Sequence, residues 1–176
     1  MAKRILLFIS FALVIGACKK DDPPLFTIPV QNVIFSVDPT MQPPFTYYIP
    51  VNNVMTNAMN LIDAHGIDTS EIKSIRPGKA SLQALFGQGD LDFLDAVSVR
   101  LCPIGSNKEN CGQEVFYRDP VPLCTGIDLD LVPSNVNDVR DFVFPDRINI
   151  QVKLERLRDF PKNTFDVRLD MEFEVR

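Results

Sequence analysis

The chain has no tryptophan, one histidine and little basic charge for its 176 residues. It also has no apolar run long enough to cross a bilayer, which takes about twenty residues. Each shortage removes a class of function. A histidine-rich zinc site is excluded by count. A serine–histidine–acid triad would have to use His65, and no G-x-S-x-G elbow presents a serine to it. The formal net charge is −5, with no basic tract beyond the pairs Lys3-Arg4 and Lys19-Lys20, so the chain suits neither nucleic acid nor an anionic membrane face. Gly87-Gln88-Gly89 is followed by no lysine–serine or lysine–threonine pair, so it is no phosphate loop. Missing tryptophan takes away the flat platform on which many glycan-binding modules stack a sugar.

What is present begins at the amino terminus. Met1-Ala2-Lys3-Arg4 is a basic head, Ile5 to Ile15 is an apolar run broken only by Ser10, and Gly16-Ala17-Cys18 follows. This order marks a secretory signal. Ile15-Gly16-Ala17-Cys18 resembles the lipobox of bacterial lipoproteins, with isoleucine where leucine is usual. The resemblance implies cleavage before Cys18 and acylation of its thiol. Lys19-Lys20-Asp21-Asp22 is similar to the charged tract behind the lipidated cysteine in surface-exported lipoproteins of Bacteroidetes. It implies an outer-membrane address, with the cell surface favoured over the periplasmic face. Asp22-Pro23-Pro24 then reads as a stiff spacer. The expected organisation is a signal peptide over 1–17, a lipidated tether over 18–25 and one domain over 26–176. Cleavage also removes Lys3 and Arg4, taking the eighteen basic side chains to sixteen against twenty-three acidic ones.

Thirteen phenylalanines, three tyrosines and fourteen scattered prolines suit an all-β domain with many loop exits. Phe165, Val167, Leu169, Met171, Phe173 and Val175 alternate with charged residues in strict period two. Ile148, Ile150, Val152 and Leu154 do the same, and Asp159-Phe160-Pro161-Lys162-Asn163 reads as the turn of a long hairpin between the two. Phe26, Ile28 and Val30 change phase to Val33, Phe35 and Val37, which predicts a bulge at Gln31-Asn32. Ile72–Arg76 and Ser81–Phe86 read as two strands around Pro77-Gly78. Val97–Leu101, Gln113–Arg118 and Ile127–Leu131 add three more. Val54, Ala58, Leu61 and Ile62 predict a helix that Asn53 caps and Gly66 closes. A shorter turn is expected at Val136–Phe142, capped by Ser134 or Asn135. About eight strands with one or two short connecting helices predict an antiparallel β-sandwich, with a barrel as the alternative. The chain resembles the small β-sandwich lipoproteins of unknown function found in Bacteroidetes.

The candidate sites are few. Cys102, Cys111 and Cys124 could join His65 on zinc, but no C-x-x-C spacing supports it, and an exported chain favours a disulfide. Cys102 and Cys111 flank a loop turned by Pro103, Gly105 and Asn107, so they are the expected pair, with Cys124 free; Cys111–Cys124 is the alternative. A nucleophilic cysteine would need a base, and His65 is the sole histidine. Asp90 and Asp92 are a candidate calcium pair, although the full ligand loop is missing. Asp128 and Asp130 read as the solvated face of a strand. Tyr47 and Tyr48, after Pro43-Pro44-Phe45, are candidate ligand-binding aromatics on a loop, with core filling as the other reading. Together these features lead to a non-enzymatic binding or assembly module, held to the bilayer through Cys18 and serving a protein partner. A glycan- or lipid-binding module and a carboxylate- or calcium-dependent hydrolase are the alternatives. No resident cofactor is expected.

Overall fold

The computed structural model describes residues 23–106 and 108–176. The expected signal segment, Cys18, Lys19–Asp22 and Asn107 lie outside them. Eight strands run β1 Phe26–Val37, β2 Tyr47–Met55, β3 Ile75–Ala84, β4 Leu94–Cys102, β5 Gln113–Arg118, β6 Asp128–Pro133, β7 Arg147–Leu157 and β8 Phe165–Val175. Helix α1 covers Ala58–Ala64 and α2 covers Arg140–Val143, with a single 3-10 turn at Thr69–Glu71.

Every strand pairing is antiparallel, in the order β1-β8-β3-β6-β5-β4-β7-β2. The sheet is folded on itself. β1-β8-β3-β6 makes one half and β5-β4-β7-β2 the other. The join between β6 and β5 is short, Phe116 opposite Pro133 and Tyr117 opposite Val132. At the far side the edge strands β1 and β2 lie next to each other, so the sandwich is nearly closed into a barrel. Only β4 and β5 form a hairpin within one half; β5 and β6, also consecutive, pair briefly across the join. Every other connection passes from one half to the other, the strand order of a jelly roll.

This corrects the expected final hairpin. β7 and β8 are both strands, but they do not pair. β7 lies between β2 and β4, whereas β8 lies between β1 and β3. The Asp159–Asn163 segment is a crossover between the halves. Ile72–Phe86 is also simpler than expected, with one strand, Ile75–Ala84, whose register against β8 shifts at a bulge between Pro77 and Ala80. The helix begins later than expected. Val54 belongs to β2, and Asn53 (φ 59°) sits in a second bulge rather than at a cap. The first α1 amides are instead satisfied from outside, Ala58 N donating to Thr56 Oγ1 at 3.3 Å and Met59 N to Asp146 Oδ1 at 3.0 Å. Gly66 closes the helix with φ 65°.

The bulge in β1 falls where the phase change predicts it. Asn32 takes φ 59°, and its N–H donates to Asp170 Oδ1 at 2.8 Å. The extra residue lets Phe26, Ile28, Val30, Val33, Phe35 and Val37 all point inward. They meet Val167, Leu169, Met171, Phe173 and Val175 from β8 and Ile148, Ile150, Val152 and Leu154 from β7 in one apolar core. Phe116 and Phe173, both fully buried, pack with ring centres 5.9 Å apart.

The strands point their ends at two opposite rims. At one rim lie the start of β1, the end of β8, both helices and the β4–β5 loop. Leu25 N donates to Val175 O there at 2.8 Å. The opposite rim is built from four crossovers, residues 38–46, 85–93, 119–127 and 158–164.

Candidate functional site

The β4–β5 loop is tied as expected. Cys102 and Cys111 form a disulfide, with Cα atoms 5.2 Å apart, and Cys124 is free and exposed. Cys124 lies at the opposite rim. Arg100 braces the loop from β4, its Nε donating to Cys111 O and its Nη2 to Gly112 O, each at 2.9 Å. Gly112 cannot be another residue without rearrangement. It has φ 56°, and an added Cβ would collide with the Leu101 carbonyl. Replacing both bonded cysteines with serine is expected to cost roughly 2–3 kcal/mol in the chain-entropy model, because the bond closes a loop of only nine residues' separation. Urea unfolding of the double variant checks this; loss of the fold altogether would mean that the bond holds more than its loop.

Tyr47 and Tyr48 open strand β2 rather than standing on a loop, and strand alternation splits them. Tyr47 packs against the core, and its hydroxyl accepts from Gln42 N at 2.6 Å. Tyr48 faces outward beside Lys153, whose Nζ lies 5.9 Å from the ring centre, and its hydroxyl accepts from Asn110 Nδ2 at 3.0 Å. The disulfide-bonded loop folds back over this outer face. Beneath it Asn149 and Gln151 of β7 are buried, although the alternating pattern assigned them to a solvated face. Between the loop and β2 is an open cleft of about 340 Å³ that includes Tyr48, Pro50, Asn52, Glu109 and Gln151 in its lining.

The acidic candidates serve the opposite rim as cross-braces. Asp90 Oδ2 accepts from Lys162 Nζ at 3.0 Å, and Asp92 Oδ1 accepts from Gly126 N at 2.9 Å. The hydrogen bond and charge of Asp90 hold the Lys162 ammonium above its ordinary pKa. Among the described residues no three histidine, cysteine or acidic groups converge as a metal site. Asp128 lies on the exposed side of β6 and accepts from Gln83 Nε2 at 2.7 Å. His65 ends α1, its Nδ1 3.1 Å from Leu61 O and its ring stacked on Phe26 at 4.4 Å.

The opposite rim holds residues that the sequence reading passed over. Each of its four crossovers exposes a large apolar side chain. These are Phe45 (60 % exposed), Phe86 (80 %), Leu123 (78 %) with Ile127, and Phe160 (52 %). Strand order places the crossovers in a row, 38–46 beside 158–164, then 85–93, then 119–127. Polar bonds tie the crossovers to one another. Asn163 Nδ2 donates to Gln88 O at 3.1 Å, and Arg158 Nη2 donates to Val121 O at 2.6 Å. Arg156 joins Asp95 at 3.1 Å and Asp119 at 2.7 Å. The available signal was phenylalanine or leucine inside turn sequences, as in Phe86-Gly87, Pro122-Leu123 and Phe160-Pro161. Period-two reading carries Phe86 and Ile127 into strands, whereas β3 ends at Ala84 and β6 begins at Asp128, which leaves both on the rim.

Comparison with known proteins finds no matching family model and no matching curated protein.

Proposed function

We propose that this protein is a non-enzymatic binding module, anchored to the outer membrane through acylated Cys18, that docks a protein partner on the row of apolar loop tips. The observation that carries the reading is the position of that row. It sits at the rim opposite the start of β1, where a tether over residues 18–25 would join. An anchored domain would hold these loops away from its own membrane. Exposed apolar side chains grouped this way mark interaction surfaces. The acidic balance disfavours an anionic bilayer as their target and leaves an apolar protein surface as the fitting one.

Two further features support docking over catalysis. The carboxylates near the rim are engaged in ion pairs and amide hydrogen bonds, as the partners of Asp90, Asp92, Asp95 and Asp119 show. Those same bonds stiffen the crossovers, and a preordered surface loses less entropy when it binds.

The test is position-dependent photocrosslinking in intact cells. A crosslinker at residue 86 or 123 is expected to give one discrete adduct. The same group at Ile34, also surface-exposed but on the β1 edge, is expected to give none. Phe160→Asp should then lower the adduct yield from position 86 by about tenfold, as loss of a central anchor does. Equal yield from positions 86 and 34, or no adduct at either rim position, overturns the reading.

A further inference from the structure

We infer that the cleft between β2 and the disulfide-bonded loop is a binding site for a neutral sugar ring. This does not rest on the partner reading above, since the cleft lies on the outer face of the β2–β7–β4 layer and not on the loop row.

The inference starts from Gln151. Its side chain is only 5 % exposed, and its Nε2 donates to Lys108 O at 3.1 Å. Its Oε1 is buried with no hydrogen-bond partner among the described residues, and Gln151 is one of the residues that line the cleft. A buried amide oxygen left unsatisfied is costly, and native structures rarely keep one without a reason. The missing partner must be a donor. Asn149 lies next to it, also buried, with its Oδ1 already accepting from Asn53 N at 3.0 Å. That acceptance leaves the Asn149 amide nitrogen as a donor. Asn52, Ser106 and Glu109 add an amide, a hydroxyl and a carboxylate, and Tyr48 adds a ring edge with a hydroxyl.

The chemistry of this lining selects its ligand. The single formal charge in it is the Glu109 carboxylate, which repels phosphates and carboxylates. Pro50, Ile150 and the disulfide share the lining with the amides, so the fitting ligand carries apolar as well as polar surface. A ligand with several hydroxyls supplies donors to Gln151 Oε1 and Glu109 while accepting from Asn149 and Asn52. It can also lay a C–H face on Tyr48. A volume of about 340 Å³ is at the small end of ligand sites, which run roughly 300–1,000 Å³. The disulfide between Cys102 and Cys111 lines the cleft and keeps the loop over Gln151, so the site is built only in the oxidised protein.

The test is a nitrogen-15 NMR titration of the oxidised domain with methyl glucoside, maltose, cellobiose and diacetylchitobiose, each at millimolar concentration. Saturable shifts are expected at Tyr48, Asn52, Ser106, Glu109 and the Gln151 side-chain amide. Glucuronate should shift none of them. Response to methyl glucoside as well as to a disaccharide marks a free-sugar site. Response to a disaccharide alone marks a fragment of a longer glycan. Gln151→Leu should weaken binding at least fivefold. Glu109 is exposed, so Glu109→Ala should do the same with the fold intact even if the buried change fails to fold. No saturable shift with any of the four sugars, shifts centred elsewhere, or undiminished binding by Glu109→Ala overturns the assignment.

Discussion

Phe173→Ala is expected to lower the unfolding free energy by about 3–5 kcal/mol, the range for emptying a buried phenylalanine site. Phe173 is completely buried, and its ring meets Phe116 from the facing half of the sandwich. β8 is flanked by β1 and β3 and held by ladders on both sides, so the backbone has little room to collapse into the cavity. A domain of this size has about a tenth of a kcal/mol of stability per residue. Losing this one ring would therefore take a large share of it. Arg168→Ala on the opposite face of the same strand is the control. Arg168 pairs with Asp170 at 2.9 Å and donates to Gln83 Oε1 at 2.7 Å, partly exposed, and such pairs contribute roughly 0–1 kcal/mol. Denaturant titrations of the two variants measure the contrast. Equal destabilisation would mean that β8 does not present one face inward and the other outward.

Under the proposed anchoring, Cys18→Ser should abolish membrane attachment. Each buried methylene contributes ~0.8 kcal/mol, and a single acyl chain holds a protein only marginally. A lipoprotein cysteine carries two or three chains, so its loss is all-or-none. The variant should remain uncut by the lipoprotein signal peptidase, and the mature form should disappear from the membrane fraction. The domain itself should keep its thermal midpoint, because Cys18 lies ahead of the first ladder pair, Phe26 with Val175, and outside the fold's pairing. Normal processing together with full recovery in the membrane pellet would refute the anchor.

The strands were legible because period two is written into them. β8 alternates without a break, and the shift between Val30 and Val33 told of the bulge that keeps β1 facing inward. The pairing was not legible. Alternation says which residues share a face, yet it does not say which strand lies alongside. A seven-residue connection such as 158–164 can close a hairpin or cross between halves. The choice is made by long-range packing, here the insertion of β7 between β2 and β4. β2 escaped notice because Pro50 and the Asn52-Asn53 bulge interrupt its pattern. The disulfide was legible since it is local, set by two cysteines at the ends of one loop. Gln151 was not, because a polar residue at an outward position reads as solvated until something folds over it. The loop that does so comes from forty residues earlier in the chain.

The antiparallel clasp of β1 and β8 bears on how the protein would behave under tension. A tether joined ahead of Phe26 and a partner held at the opposite rim would pull along the strand axis, since those two rims are its ends. Force entering β1 at Phe26 then meets its pairing with β8 lengthwise. The ladder from Phe26–Val175 to Val37–Phe165 is loaded as a lap joint, all of its hydrogen bonds at once, and not peeled from one end like a zipper. β1 is an edge strand, the kind most easily stripped away sideways. Under the proposed anchoring, drawn from this end, it would instead be the strap of a shear-loaded coupling between the membrane and the partner on the loops.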